Sequence, residues 1–143
     1  EVGAGRTATV SKILSKKGAI MTCIDPKLDI GQEKNITYLK EKFDYRKFNI
    51  DSFDYVIAQE PCEGAEHVIR ACKKANKPCI ITLCGTPHRV ISGKGFKNYE
   101  QYHKYLRDID IENNILKYEK WDSIAITSIL IRKVNKSTKK ELD

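Results

Sequence analysis

The sequence predicts an α/β domain: a mainly parallel sheet with helices on both faces, closed by an antiparallel C-terminal strand pair. Three observations lead there. Short apolar runs alternate with amphipathic stretches long enough for crossover helices. A glycine turn, Gly3-Ala4-Gly5, precedes the first helical stretch. The last two apolar runs are separated only by a tight turn, which allows an antiparallel pair and no crossover.

The elements follow in order. Residues 7–17 place Ala8, Val10, Ile13 and Leu14 at helical spacing, and Gly18 follows as a stop signal. Residues 19–24 form an apolar run ending in Asp25-Pro26, a buried parallel strand and its exit turn. Residues 33–43 are assigned to a helix on Ile36, Leu39 and Phe43, and residues 45–50 to a short strand. Residues 53–58 form a strand, and residues 63–76 a helix with Ala65, Val68, Ile69, Cys72 and Ala75 on one face. An Ile-rich strand over 78–83 ends at Gly85-Thr86-Pro87, residues 93–98 are a polar loop, and residues 99–109 are helical. Residues 114–119 and 123–134 are the antiparallel pair, turning near Trp121-Asp122. Right-handed crossovers would place the loops after Val2, Ile24, Ala58 and Leu83 on one edge of the sheet, where a ligand is expected.

At 143 residues, 41% hydrophobic and 31% charged, the chain suits one domain with a real core, assigned to residues 1–134, followed by a polar basic tail over 135–143. Its most apolar runs, 79–84 and 124–131, are far shorter than the roughly 20 residues of a membrane span. No signal-peptide pattern opens it. These features predict a cytoplasmic protein with no membrane partner. The net charge is +7, of which Arg132, Lys133, Lys136, Lys139 and Lys140 contribute a share near the C-terminus. That balance permits an anionic partner such as RNA without requiring one. Cys23, Cys62, Cys72, Cys79 and Cys84 show no zinc-ligand spacing and are assigned as reduced thiols, with no metal predicted. The chain opens on Glu1 with no Met and no apolar run before its glycines, so a first strand cut short, with residues upstream of it, is expected.

Glycine suits a strand-to-helix turn at which a ligand approaches the backbone, and a following helix offers free N–H groups there. Asp25, at the end of the next strand, could accept hydrogen bonds from the vicinal hydroxyls of a ribose. Gly3-x-Gly5-x-x-Ala8 fits the dinucleotide fingerprint, which keeps an NAD(P)-binding oxidoreductase or sensor open.

Glu1-Val2-Gly3-Ala4-Gly5 resembles motif I, E/D-x-G-x-G, of the class I S-adenosylmethionine-dependent methyltransferases. Asp51-Ser52-Phe53-Asp54-Tyr55-Val56-Ile57 is similar to the family's approach to its fourth strand, and the closing strand pair to its sixth and seventh. Thr7 stands where a third glycine is often found. The resemblance implies a Rossmann-like, doubly wound sheet and S-adenosylmethionine as cofactor. By it, Glu1 would serve the methionine end, Gly3 and Gly5 the close approach, Asp25 the ribose, and Gln59 and Glu60 the cofactor's flank. Glu60 and His88 are the candidate catalytic groups, and the methyl acceptor, small molecule or RNA, is left open. Gln59-Glu60-Pro61-Cys62 departs from the N/D-P-P-Y/F of enzymes that methylate exocyclic amines of DNA bases. A non-catalytic, methyltransferase-like binding module is the remaining alternative.

Overall fold

A computed structural model describes residues 1–121 and 125–134. Three helices and six strands follow one another as α1 (Thr9–Lys16), β1 (Met21–Ile24), β2 (Ile36–Leu39), β3 (Val56–Gln59), α2 (Gly64–Ala75), β4 (Cys79–Leu83), α3 (Tyr99–Asp108), β5 (Asn114–Trp121) and β6 (Ala125–Arg132). No helix among the described residues is long and apolar enough to cross a membrane.

The doubly wound, Rossmann-like sheet expected from the sequence is not formed. The strands make two sheets, a parallel pair β1-β2 and a mixed four-stranded sheet in the order β3-β4-β6-β5. Among the described residues, Val2 links them through single parallel bridges to Ile24 and Ala58. No helix crosses over between β1 and β2, because Ile36–Leu39, assigned above to a helix, pairs as a strand with Met21–Ile24. Residues 45–50, assigned to a strand, form turns and irregular backbone. The four-stranded sheet also has one covered face. Helix α2 packs on β3 and β4, and α3 packs on β5 and α2. Along β4, Cys79, Ile81 and Leu83 are buried while Ile80 between them is 51% exposed. A sheet with helices on both faces would bury that residue as well.

The remaining elements form where their patterning places them. Helix α2 turns Val68, Ile69 and Cys72 onto Ile81, Leu106 and Leu130, all fully buried. Each such aliphatic side chain contributes about 1.5–3 kcal/mol of burial. Asn76 ends α2 in the left-handed region at φ 51°. Helix α3 begins at Asn98, whose side-chain oxygen accepts the Gln101 N–H at 2.9 Å. β5 and β6 pair antiparallel as expected, from Asn114 opposite Arg132 to Trp121 opposite Ala125. Their turn, residues 122–124, and the tail over 135–143 lie outside the described residues. Arg132, counted above among the cations near the C-terminus, is a buried residue of β6.

The loop from Phe43 to Phe53 supplies core without regular structure. Phe43 and Phe48 stand 5.4 Å apart and Phe48 and Phe53 6.4 Å apart, ring centre to ring centre. His67 ties this loop to α2. It is buried, and its Nδ1 accepts the Tyr45 N–H at 3.3 Å. Burial lowers its pKa from the usual 6.5; Asp44 opposes this, Arg46 and Lys42 assist, and Glu66 opposes. Folding therefore favours neutral His67, and the unfolded chain takes up the proton first as pH falls. This contribution is complete above pH 6.5 and is lost as pH drops through the lowered folded value. Urea midpoints should accordingly fall between about pH 7.5 and about pH 5, less steeply in His67→Gln. An identical slope in the variant would contradict the assignment.

Candidate functional site

The glycine turn and the loop after β1 are built as one unit. Gly3 and Gly5 adopt φ 71° and φ 68°, the left-handed region that glycine enters without strain. The Gly3 N–H donates to the Ile24 carbonyl at 3.0 Å, and the Gly5 N–H donates to Asp25 Oδ2 at 3.1 Å. Asp25 Oδ1 accepts the Lys27 N–H at 2.7 Å. Each carboxylate oxygen can accept a further bond, so these contacts orient Asp25 without exhausting it. The two glycines are needed for different reasons. A Cβ on Gly3 would press within 3.1 Å of Pro61, whereas one on Gly5 would enter open space.

Beside this unit lies a cleft of ≈ 480 Å³, within the range of small-molecule sites. Gly3, Asp25, Glu60, Cys62 and His88 all line it, drawing together the glycine turn and the loops after β1, β3 and β4. Among its charged walls are three carboxylates, Asp25, Glu60 and Glu63, against two ammonium groups, Lys27 and Lys42. The balance is acidic even though the chain as a whole is basic.

Of the residues assigned from the sequence, Gly3, Asp25, Glu60 and His88 meet at the cleft. Glu1, Gly5 and Gln59 are not among its lining residues. Glu1 instead turns to α1. Its Oε1 accepts the Ser11 N–H at 3.0 Å and the Ser11 hydroxyl at 2.7 Å. Ala8, at the start of that helix, makes no side-chain cap, so Glu1 satisfies a free N–H of the first turn in its place. Gln59 is the exposed end of β3, paired with Thr82. Glu60 follows at φ 46°, its N–H donating to the Thr82 carbonyl at 2.7 Å, and Cys62 stands at φ 54°. Two residues with side chains in the left-handed region cost roughly 1–2 kcal/mol each. Such outliers gather where a site dictates the backbone.

One constellation went unread in the sequence. Cys62, Cys84 and His88 bring two sulfurs and a ring nitrogen within 4.8 Å of one another. Cys84 directly follows β4 and is half-buried. Cys62 is exposed, and all five cysteines are free thiols. Burial raises the Cys62 pKa, helped by the neighbouring Cys84 and by Glu60 and Glu63. The available signal was the short run Cys84-Gly85-Thr86-Pro87-His88, which has two potential ligands and lacks the third.

Helix α3 and the segment carrying His88 hold this arrangement. The Tyr102 hydroxyl donates to the Cys62 carbonyl at 3.3 Å, and His103 Nε2 lies 2.8 Å from the Cys84 carbonyl. The His88 ring meets Tyr102 edge-on at 6.1 Å. The Ile91 N–H donates to buried Glu66 on α2 at 2.6 Å. No protein-family model matches the chain, and no curated protein matches it in sequence.

Proposed function

We propose that the cleft binds S-adenosylmethionine and that the chain transfers its methyl group to an acceptor whose identity is open. The observation that carries this reading is the meeting of Gly3, Asp25 and Glu60 in an acidic cleft. S-adenosylmethionine bears a sulfonium and an ammonium against one carboxylate and gains from such walls. NAD brings a pyrophosphate, which like charge disfavours. Asp25 would accept the ribose hydroxyls, and the open side of Gly5 leaves its backbone approachable. Methyl transfer requires the nucleophile, the methyl carbon and the sulfur in line, so the protein's work is chiefly to hold them. Glu60 would take the proton of an acceptor that loses one, with His88 in the same wall.

A second reading, a binding module for RNA, is favoured by one surface. Lys94, Lys97 and Lys104 surround Phe96 and Tyr105 in a shallow hollow, with Lys94 Nζ 5.3 Å from the Phe96 ring centre. Cations interleaved with aromatics suit phosphates and stacked bases.

Calorimetry separates the readings. S-adenosylmethionine or S-adenosylhomocysteine is expected to bind, NAD much more weakly. Asp25→Ala should weaken the cofactor about ten- to hundredfold, as a charge-assisted bond pair disappears. Tight NAD binding without S-adenosylmethionine binding would overturn the cofactor assignment. Binding of neither, beside strong salt-sensitive RNA binding, would favour the second reading.

A further inference from the structure

The three donors at the cleft wall have the chemistry and spacing of a metal site. In a tetrahedral zinc centre, bonds of about 2.3 Å to sulfur and about 2.0–2.1 Å to nitrogen place ligand atoms roughly 3.3–3.8 Å apart. Cys62, Cys84 and His88 hold theirs within 4.8 Å, so closing onto an ion needs shifts on the order of an ångström or less. They come from the two loops that leave the adjacent parallel strands β3 and β4. Pairing of those strands fixes one loop against the other.

A second, independent observation concerns His88. Its Nε2 is buried and has no hydrogen-bond partner in the protein. A buried polar atom ordinarily has one, and an exception calls for an explanation. A ligating nitrogen provides it. The surroundings are those of a supported ligand set. Consecutive residues of α3 contact all three donor residues, Tyr102 through the Cys62 carbonyl and the His88 ring, and His103 through the Cys84 carbonyl. Such outer contacts orient metal ligands before the ion arrives.

We propose that Cys62, Cys84 and His88 bind zinc through two thiolates and an imidazole, with the fourth coordination position facing the cleft that Cys62 and His88 line. Three protein ligands with one position left for water or substrate is the arrangement of catalytic rather than structural zinc. Each thiol binds as its thiolate, so each metal–sulfur bond forms as a proton leaves for solvent. That proton release makes binding pH-dependent, and affinity should rise with pH. The inference does not rest on the cofactor assignment, since the donors stand together whatever the cleft holds.

The test uses the full chain, reduced and stripped of metal, titrated with Co²⁺ and then Zn²⁺. One equivalent of Co²⁺ should give thiolate-to-metal charge transfer and the absorption of a tetrahedral ion, both removed by zinc. Cys62→Ser and His88→Ala should each weaken zinc by more than about tenfold in competition with a chelator. Cys62 is exposed, so its variant should keep the fold, and circular dichroism checks this. Three results would overturn the proposal. One is the absence of thiolate–cobalt absorption in the wild-type chain. Another is unchanged zinc affinity in the two folded variants. The last is a Cys62–Cys84 disulfide that resists reduction at the glutathione poise of the cytosol, which would make the pair redox partners instead.

Discussion

Arg132→Ala is expected to cost about 3–5 kcal/mol, the penalty for breaking a buried ion pair by removing one partner. The Arg132 side chain is 2% exposed and that of Asp110 10%. Arg132 Nε donates to Asp110 Oδ2 at 3.0 Å, and Nη1 donates to the Lys77 carbonyl at 2.9 Å. The guanidinium thus joins β6 to the segment linking α2 with β4 and to the turn linking α3 with β5. Among the described residues, alanine would leave the carboxylate with the Asn113 amide as its side-chain partner and the Lys77 carbonyl without this donor. A domain holds roughly 5–15 kcal/mol in total, so the variant should lose a large part of its stability. Asp110→Asn, which keeps an acceptor, should lose less. Denaturant unfolding of the three proteins decides it, and a loss below about 1 kcal/mol for Arg132→Ala would refute the assignment.

That a cation counted from the sequence only as charge near the C-terminus proves to be a buried tie illustrates where legibility stopped. Helices α2 and α3 and strands β4 and β6 were legible because each buries one periodic face against the core, as Val68, Ile69 and Cys72 do in α2. β2 was not. Ile36, Leu39 and Phe43 carry helical spacing, but Ile36-Thr37-Tyr38 is β-branched and aromatic, and pairing with β1 prevailed. The loop over residues 45–50 imitated a strand because its apolar residues enter the core through ring contacts. With neither element as assigned, no crossover helix separates β1 from β2, and the two-faced sheet went with it.

The site was legible in part for a related reason. Asp25 and the glycine turn sit in local patterns, and the structure joins them through one hydrogen bond. Glu1 shows how a local pattern carries more than one use: an acid near a helix start is also a cap, and its Oε1 accepts from Ser11. The Cys62, Cys84 and His88 cluster depends on β3 and β4 lying side by side, a long-range fact with no local spacing to announce it.

Glu66→Ala should be as damaging as the loss of Arg132, and its effect should reach the cleft. Glu66 is 3% exposed on α2, and its carboxylate joins three elements. Oε1 accepts from Arg70 Nε at 3.0 Å and from the Tyr105 hydroxyl at 2.9 Å on α3. Oε2 accepts the Ile91 N–H at 2.6 Å, anchoring the segment that carries His88. Removing the carboxylate leaves the Tyr105 hydroxyl and the Ile91 amide without their acceptor, for about 1–3 kcal/mol each, while Arg70, 36% exposed, turns to solvent. Tyr105→Phe deletes one hydroxyl, which donates to Glu66 and accepts a long bond from the partly exposed Arg70 at 3.4 Å, and should cost only about 0.5–1.5 kcal/mol. Glu66→Gln keeps the shape without the charge and should fall between them. Hydrogen exchange gives the local readout: the Ile91 amide should lose protection in Glu66→Ala well beyond the global loss of stability. It should stay protected in Tyr105→Phe. If Ile91 instead exchanges in step with the core amides of α2 in every variant, the segment is not held by this carboxylate.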